Sequence, residues 1–302
     1  MSQYAVFGLL LTSEIDLPEL PRGTGPAEVT IRTGPPPEPL ADPVVDSVLY
    51  QAAPGRLRLE VPNVATYLAS DGTDVVVAAH PDASPDEVRL FLYGSVLGAI
   101  LQQRGILTIH ASAVTDGERA ILFAGPSGHG KSTLAAAFLD VGYRLLSDDV
   151  VAIRSYPGRG AVAAAAYPEI KLWADALKRL EIDAVGLRRV REQLDKSYVS
   201  NVERFSAEPM PVSHVYILHS HNRDEFVLTA LTGRTKLGFL VRNTYRRNFL
   251  DGLGGKEAHF DGCVTLSKHA RVVSVIRPTA NFRIDELRRQ IQADLDGVAE
   301  AS

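Results

Sequence analysis

The sequence predicts an α/β fold: a strand-helix-strand core over residues 105–302, preceded by a small β-rich N-terminal module over 1–83. A connecting helix over 84–104 joins the two. Three observations lead there. Short apolar segments punctuated by Pro, Gly and Asp fill the first eighty or so residues. A capped, helically spaced apolar stretch follows. Beyond it, short apolar runs alternate with an Ala- and Leu-rich helical segment around a glycine-rich octapeptide.

In the N-terminal module the expected strand segments are Tyr4–Leu11, Val29–Arg32, Val48–Gln51, Leu57–Val61 and Val75–Ala79. Gly34-Pro35-Pro36-Pro37-Glu38-Pro39 can be neither helix nor central strand, so it is a surface loop. Ser84-Pro85-Asp86-Glu87 starts a helix, with Ser at the N-cap and Pro in the first turn. Val88, Phe91, Leu92, Val96, Ala99 and Ile100 recur along it, and Gly105 stops it. Gly94 and Gly98 weaken this helix and permit close packing. Leu107–Ala113 and Ala120–Ala124 read as strands joined at Asp116-Gly117. Ser132–Leu139 is helical, and Tyr143–Leu146 and Val150–Ile153 resume strand character. Leu237, Leu240, Val241, Tyr245 and Phe249 predict one helix face; Ile284, Leu287, Ile291, Leu295 and Val298 predict another.

Composition narrows the class. The 302 residues suffice for a sizeable core, and 36 acidic against 32 basic residues give a net charge of −4, which implies no general polyanion-binding surface. The single Cys263 excludes an intramolecular disulfide framework and fits a cytoplasmic protein. Runs such as Val6–Leu11 are far too short to span a membrane, and the N-terminus lacks the basic region of a secretory signal.

Gly125-Pro126-Ser127-Gly128-His129-Gly130-Lys131-Ser132 matches the P-loop pattern in full, between an expected strand and an expected helix. Its glycines let backbone N–H groups curl around phosphate oxygens, and the helix aims its positive end at the anion. Gly125 through Thr133, including His129, are therefore candidate ATP-binding residues. Lys131 would reach the β- and γ-phosphates and Ser132 would hold Mg²⁺. Asp148-Asp149 follows the next strand, returning both carboxylates beside the loop. One can hold Mg²⁺ while the other accepts a proton from an attacking hydroxyl, and adjacency is expected to raise their proton affinity.

With Ile109-His110-Ala111 and Gly142-Tyr143-Arg144-Leu145-Leu146-Ser147-Asp148-Asp149, the stretch from Leu107 to Ile153 resembles the HPr kinase/phosphorylase family of the PEP-carboxykinase-like P-loop fold. The resemblance implies Asp149 as the residue taking the serine proton, Asp148 as its support and a metal ligand, and His110 as an active-site histidine. Glu169-Ile170-Lys171 resembles that family's Glu-Ile-Arg segment, making Glu169 a candidate metal ligand; a solvated loop glutamate is the alternative. Arg242-Asn243 resembles its Arg-Asn pair without the flanking prolines and glycine. Arg242 and Arg246, expected one helical turn apart opposite the apolar face, could clamp phosphates or an acidic peptide end. Tyr4-Ala5-Val6-Phe7-Gly8, Ser13 through Leu20, Phe91-Leu92-Tyr93-Gly94, Gln103-Arg104-Gly105 and Asn243-Thr244-Tyr245-Arg246 are similar to the HPr kinase-like proteins associated with lasso-peptide biosynthesis. That similarity implies phosphorylation of a precursor peptide on its C-terminal serine.

The remaining groups carry less. His214, His219 and His221 lack metal-site spacing and read as strand-end or surface histidines. Cys263 reads as a small packed residue, and Arg188-Arg189-Val190-Arg191 as a solvated helix face. Aromatics are not interleaved with basic residues, so nucleic acid is not an expected partner. The expected function is Mg²⁺-dependent transfer from ATP to a peptide or protein serine, by a chain that could be a homo-oligomer. The alternatives are a non-catalytic nucleotide-dependent switch and a small-metabolite kinase.

Overall fold

The computed structural model describes residues 1–156, 158–191, 193–222, 224–279 and 283–297. Eight strands of the described residues form the first sheet: β1 (Ser2–Val6), β2 (Leu9–Ser13), β3 (Val29–Thr33), β4 (Val45–Asp46), β5 (Tyr50–Ala53), β6 (Arg56–Val61), β7 (Ala65–Ser70) and β8 (Asp74–Ala79). Their spatial order is β1-β2-β3-β8-β7-β6-β5-β4. Tyr4–Leu11, expected as one strand, is a hairpin. Phe7 and Gly8 take φ of 55° and 71°, the left-handed pair that a two-residue turn requires. Phe7 tolerates this because its ring is buried and its N–H donates to the Ala165 carbonyl at 2.8 Å. Strand β7 escapes an apolar-run reading because Ala65, Tyr67 and Ala69 alternate with Thr66, Leu68 and Ser70.

Helix α1 (Pro85–Phe91) starts where Ser84 accepts the Glu87 N–H at 3.2 Å. It passes through a π turn at Leu92–Val96 into α2 (Leu97–Gln103). The two glycines make a seat for Tyr245: a Cβ on Gly94 would fall 2.9 Å from the Tyr245 hydroxyl, and one on Gly98 would fall 3.2 Å from its ring. The segment is more than a connector. Leu92, Val96 and Ile100 share one apolar cluster with Tyr67 and Val75 of the first sheet and with Ala152, Tyr245 and Phe249 beyond it. The N-terminal module is thus built into the wall that carries Tyr245.

The second part runs β9 (Leu107–Ile109), β10 (Ala111–Thr115), β11 (Ala120–Ala124), α3 (Lys131–Leu139), β12 (Arg144–Ser147), β13 (Val151–Tyr156), β14 (Gly160–Ala163), β15 (Glu169–Trp173), α4 (Ala174–Arg179), β16 (Lys196–Ser200), β17 (Met210–His221), β18 (Val227–Ala230), α5 (Gly233–Arg242), α6 (Leu250–Leu253), α7 (Lys256–His269), β19 (Arg271–Pro278) and α8 (Ile284–Leu295). Its large sheet has the order β12-β10-β11-β17-β14-β13-β9, with β19 beside β17 and β18 beside β19; β15 and β16 form a separate ribbon.

Three expectations change here. Leu107–Ala113 is two strands that part at His110, because β9 pairs with β13 while β10 pairs with β11 and β12. The helix expected through Phe249 ends at Arg242, and Arg246 is left-handed (φ 47°) outside it. Arg188–Arg191 is not helical. In α8, Ile284, Leu287, Ile291 and Leu295 are buried as expected, and Val298 lies outside the described residues. Cys263 is fully buried. No helix among the described residues is long and apolar enough to cross a membrane.

Candidate active site

The glycine-rich loop joins β11, interior to the large sheet, to α3. Gly125 has φ 137°, and a Cβ there would meet the Leu218 carbonyl oxygen at 2.6 Å, so the chain can leave β11 beside β17 only with glycine. Gly130, at φ 89°, turns the chain directly into α3. A narrow cavity lies against the loop, lined by Ser127, Gly128, Gly130, Lys131, Ser132 and Thr133 together with His110, Asp149, Lys171, Trp173, Asp175, Arg179, Lys196 and Arg277. The sequence-expected loop residues therefore face a concave, cation-rich space; Gly125 and Pro126 line a neighbouring one. His129 turns elsewhere: its ring contacts the Ser127 carbonyl, and its own carbonyl accepts from Arg277 at 3.2 Å.

Lys131 is buried, and its ammonium donates to the Gly125 and Pro126 carbonyls (2.9 and 3.1 Å) and to His110 Nε2 (3.0 Å). Burial lowers its pKa to about 8, against the opposing pull of Asp148 and Asp149. Burial and the Lys131 charge hold the His110 pKa below its usual value, although Asp149 opposes them. With Nε2 accepting, the His110 proton is assigned to Nδ1, which donates to the Asp149 carbonyl at 2.9 Å.

The two aspartates are adjacent in sequence but turn apart. Asp148 is buried; its Oδ1 accepts from the Ser112 and Ser132 hydroxyls (2.6 and 2.8 Å) and its Oδ2 from the Lys171 N–H (2.9 Å). Asp149 sits at φ 74°, a left-handed conformation that costs energy for a residue with a side chain, and faces the cavity. Its carboxylate lies 3.4 Å from His110 Nδ1 and 3.2 Å from Lys171 Nζ. The expected rise in its proton affinity is not found. Burial pushes the carboxyl up, but Lys171, His110 and Lys196 outweigh it and hold Asp149 well below the usual carboxylate range. Asp148 is not the neighbour that sets Asp149's charge; cations are.

Glu169 does not join this group. It makes a two-oxygen pair with Arg188 (2.9 and 3.0 Å), which also reaches Glu19 (3.2 Å), and Glu19 in turn holds Arg89 (3.0 Å) and the Tyr93 hydroxyl (2.7 Å). Strand alternation puts Glu169 and Lys171 on one face of β15, but Arg188 draws the first toward the N-terminal module. The Arg188–Arg191 segment is correspondingly a staple rather than a solvated face, since Arg191 pairs with Glu87 at 3.4 Å. Glu169→Gln is therefore expected to lower the melting temperature, because it removes the charge that pairs with Arg188. A scanning-calorimetry trace with an unchanged midpoint would show that this pair contributes nothing to the fold.

On the other side of His110 and Asp149 lies a wider cavity of about 590 Å³, lined also by Gly125, Pro126, His219, Phe239, Arg242, Asn243, Thr244, Tyr245 and Arg246. Arg242 and Arg246 thus meet at one site despite sharing no helix. The Asn243 carbonyl accepts the His110 N–H at 2.7 Å, and the Tyr245 N–H donates to the Thr108 carbonyl at 2.9 Å, fixing this segment to the gap between β9 and β10. Gln102 of α2 adds a bond to the Tyr245 carbonyl at 2.8 Å.

Sequence reasoning missed Lys171, Lys196, Trp173 and Arg277. Lys171 and Lys196 come from the β15–β16 ribbon, where Trp173 faces Lys196 and Lys171 faces Tyr198 across the strands. The signal was present as alternate residues of Glu169–Trp173, but nothing local pairs that run with Lys196. Burial opposes the Lys171 charge, but Tyr167, Asp149 and Tyr198 more than offset it and keep its pKa well above the usual lysine value.

No protein-family model matches the chain, and no curated protein matches it. Among solved structures, it is similar to the Hpr(Ser) kinase/phosphatase from Coxiella burnetii, at 12% identity and a TM-score of 0.33, over 64% of this chain and 98% of that one.

Proposed function

We propose that this chain is a magnesium-dependent phosphotransferase that moves the γ-phosphoryl group of ATP to the hydroxyl of a peptide serine. The observation that carries the reading is the meeting of two cavities at His110 and Asp149, one against the glycine-rich loop and one holding Arg242 and Arg246. A P-loop nucleotide on one side and an acceptor on the other place the transferring group between them.

Ser132 and Asp148 touch at 2.8 Å and offer a hydroxyl and a carboxylate, hard oxygen donors that suit Mg²⁺ bound jointly with substrate phosphates. Magnesium held there would neutralise charge on the β- and γ-phosphates. Lys131, Lys171, Lys196 and Arg277 line the same space and offset the charge of the transferring group. The serine oxygen bonds to the γ-phosphorus as the bond to the ADP oxygen breaks, and the serine proton passes to Asp149. With its low proton affinity, Asp149 orients the hydroxyl and takes the proton late in the transfer. His110 holds the Asp149 backbone carbonyl and contacts Lys131, so it ties the base to the phosphate lysine.

The resemblance read in the sequence supports a C-terminal serine, as in a lasso precursor peptide. Such a residue carries a carboxylate next to the reacting hydroxyl, and Arg242 and Arg246 supply its counter-charges. The test is incubation with Mg·ATP and serine-terminated peptides, followed by mass spectrometry. A free-acid peptide is expected to gain one phosphoryl group and its C-terminal amide to gain far less. Transfer to a small alcohol but to no peptide would replace this reading with a metabolite kinase, and ATP binding without any transfer would replace it with a switch.

A further inference from the structure

Arg246 also lines a groove of about 630 Å³ on the far side of the acceptor cavity. The groove is walled by the turn between β4 and β5, by Phe91 of α1 and by Phe249. Val48 and Leu49, at the tip of that turn, are 97% and 48% exposed, where turn chemistry favours polar residues. The turn is anchored to the second part of the chain: the Tyr50 and Phe249 rings pack at 4.8 Å, and Asn248 donates to the Tyr50 hydroxyl at 2.9 Å.

Arg246 stands at the junction. Its left-handed backbone (φ 47°, ψ 42°) is costly for a side-chain-bearing residue, and the bond from the Phe249 N–H to its carbonyl at 2.9 Å helps hold it there. The guanidinium consequently lies 5.8 Å from the Tyr245 ring centre, on the acceptor side, and 5.8 Å from that of Phe249, on the groove side.

We propose that this groove seats the segment preceding the acceptor serine, an extended stretch bearing apolar side chains, with Arg246 marking its entry into the acceptor cavity. The inference rests on the peptide-kinase reading and adds the chemistry of the peptide. Continuity and charge select this occupant. The groove and the acceptor cavity share Arg246 in their walls, and a serine-terminated peptide is anionic at its end, where Arg242 and Arg246 stand. Its upstream apolar side chains meet Val48, Leu49 and Phe91.

The test measures binding separately from transfer. Two fluorescein-labelled, serine-terminated free-acid peptides of about ten residues, a length that reaches well beyond the acceptor cavity at about 3.3 Å per extended residue, serve as probes. One carries Leu, Val and Phe upstream and the other Ser, Asn and Gly. By fluorescence anisotropy on the full chain without nucleotide, the apolar probe is expected to bind about tenfold more tightly, and the double substitution Val48→Asp, Leu49→Asp to remove that preference. Unchanged ATP affinity and thermal unfolding in the variant would show that its fold is intact. Equal binding of the two probes, or an unaltered preference in the variant, overturns the proposal. So does a wild-type dimer on size exclusion that the substitutions convert to a monomer, because the groove then belongs to a second copy. A retained, substitution-sensitive preference with no phosphate transfer supports the groove while defeating the kinase reading.

Discussion

Replacing Asp149 with Asn is expected to slow the proposed phosphate transfer about 10²- to 10⁴-fold, the range over which a positioned proton acceptor contributes. Asparagine tolerates the left-handed backbone at this position (φ 74°), so the His110 bond to the residue-149 carbonyl should survive. The amide cannot accept the proton that the proposed reaction delivers to residue 149, and it removes the counter-charge 3.2 Å from the Lys171 ammonium. The expected signature is therefore a collapse of single-turnover transfer with retained nucleotide binding. A variant that turns over at the wild-type rate would remove Asp149 from the mechanism, and another group would have to receive the proton.

Lys131→Met is expected to fail differently. The methionine preserves the aliphatic bulk of the buried stem but deletes the ammonium that lies among the Gly125 and Pro126 carbonyls and His110. A group that stabilises developing charge in a dry site contributes about 10²- to 10³-fold to the rate. Because the proposed site also sets Lys131 against the nucleotide phosphates, nucleotide affinity should fall together with transfer, and calorimetry alongside single-turnover kinetics would show both losses. Intact ATP affinity in this variant would mean that the nucleotide is held elsewhere. The two substitutions separate the proposed roles, one touching the proton and the other the phosphates.

The octapeptide from Gly125 to Ser132 was legible in the sequence because its chemistry is local. Strand, loop and helix are consecutive, and each glycine answers a backbone demand within the same few residues. Ser84 at a helix start and the buried face of α8 were legible for the same reason, since capping and 3.6-residue periodicity act over one or two turns. The turn at Phe7-Gly8 was not, because a phenylalanine accepts a positive φ only where distant residues bury its ring and satisfy its N–H. The end of α5 at Arg242 was missed in a similar way. Tyr245 leaves the helical path to bond Thr108 and to occupy the space left by Gly94 and Gly98, and no local signal announces either partner.

By itself, the sequence determined the α/β alternation, the glycine-rich octapeptide between a strand and a helix and the presence of two aspartates after the next strand. These follow from spacing along one chain segment. Only the tertiary structure decided how those groups are charged and what they face. It turned Asp148 toward Ser132 and Asp149 toward Lys171 and His110, sent Glu169 to Arg188, and brought Lys196, Arg242 and Arg246 to cavities that share Asp149 or border one another. The physical reason is that electrostatic and packing energies depend on distance in space, and residues far apart in sequence acquire that distance only when the sheets close.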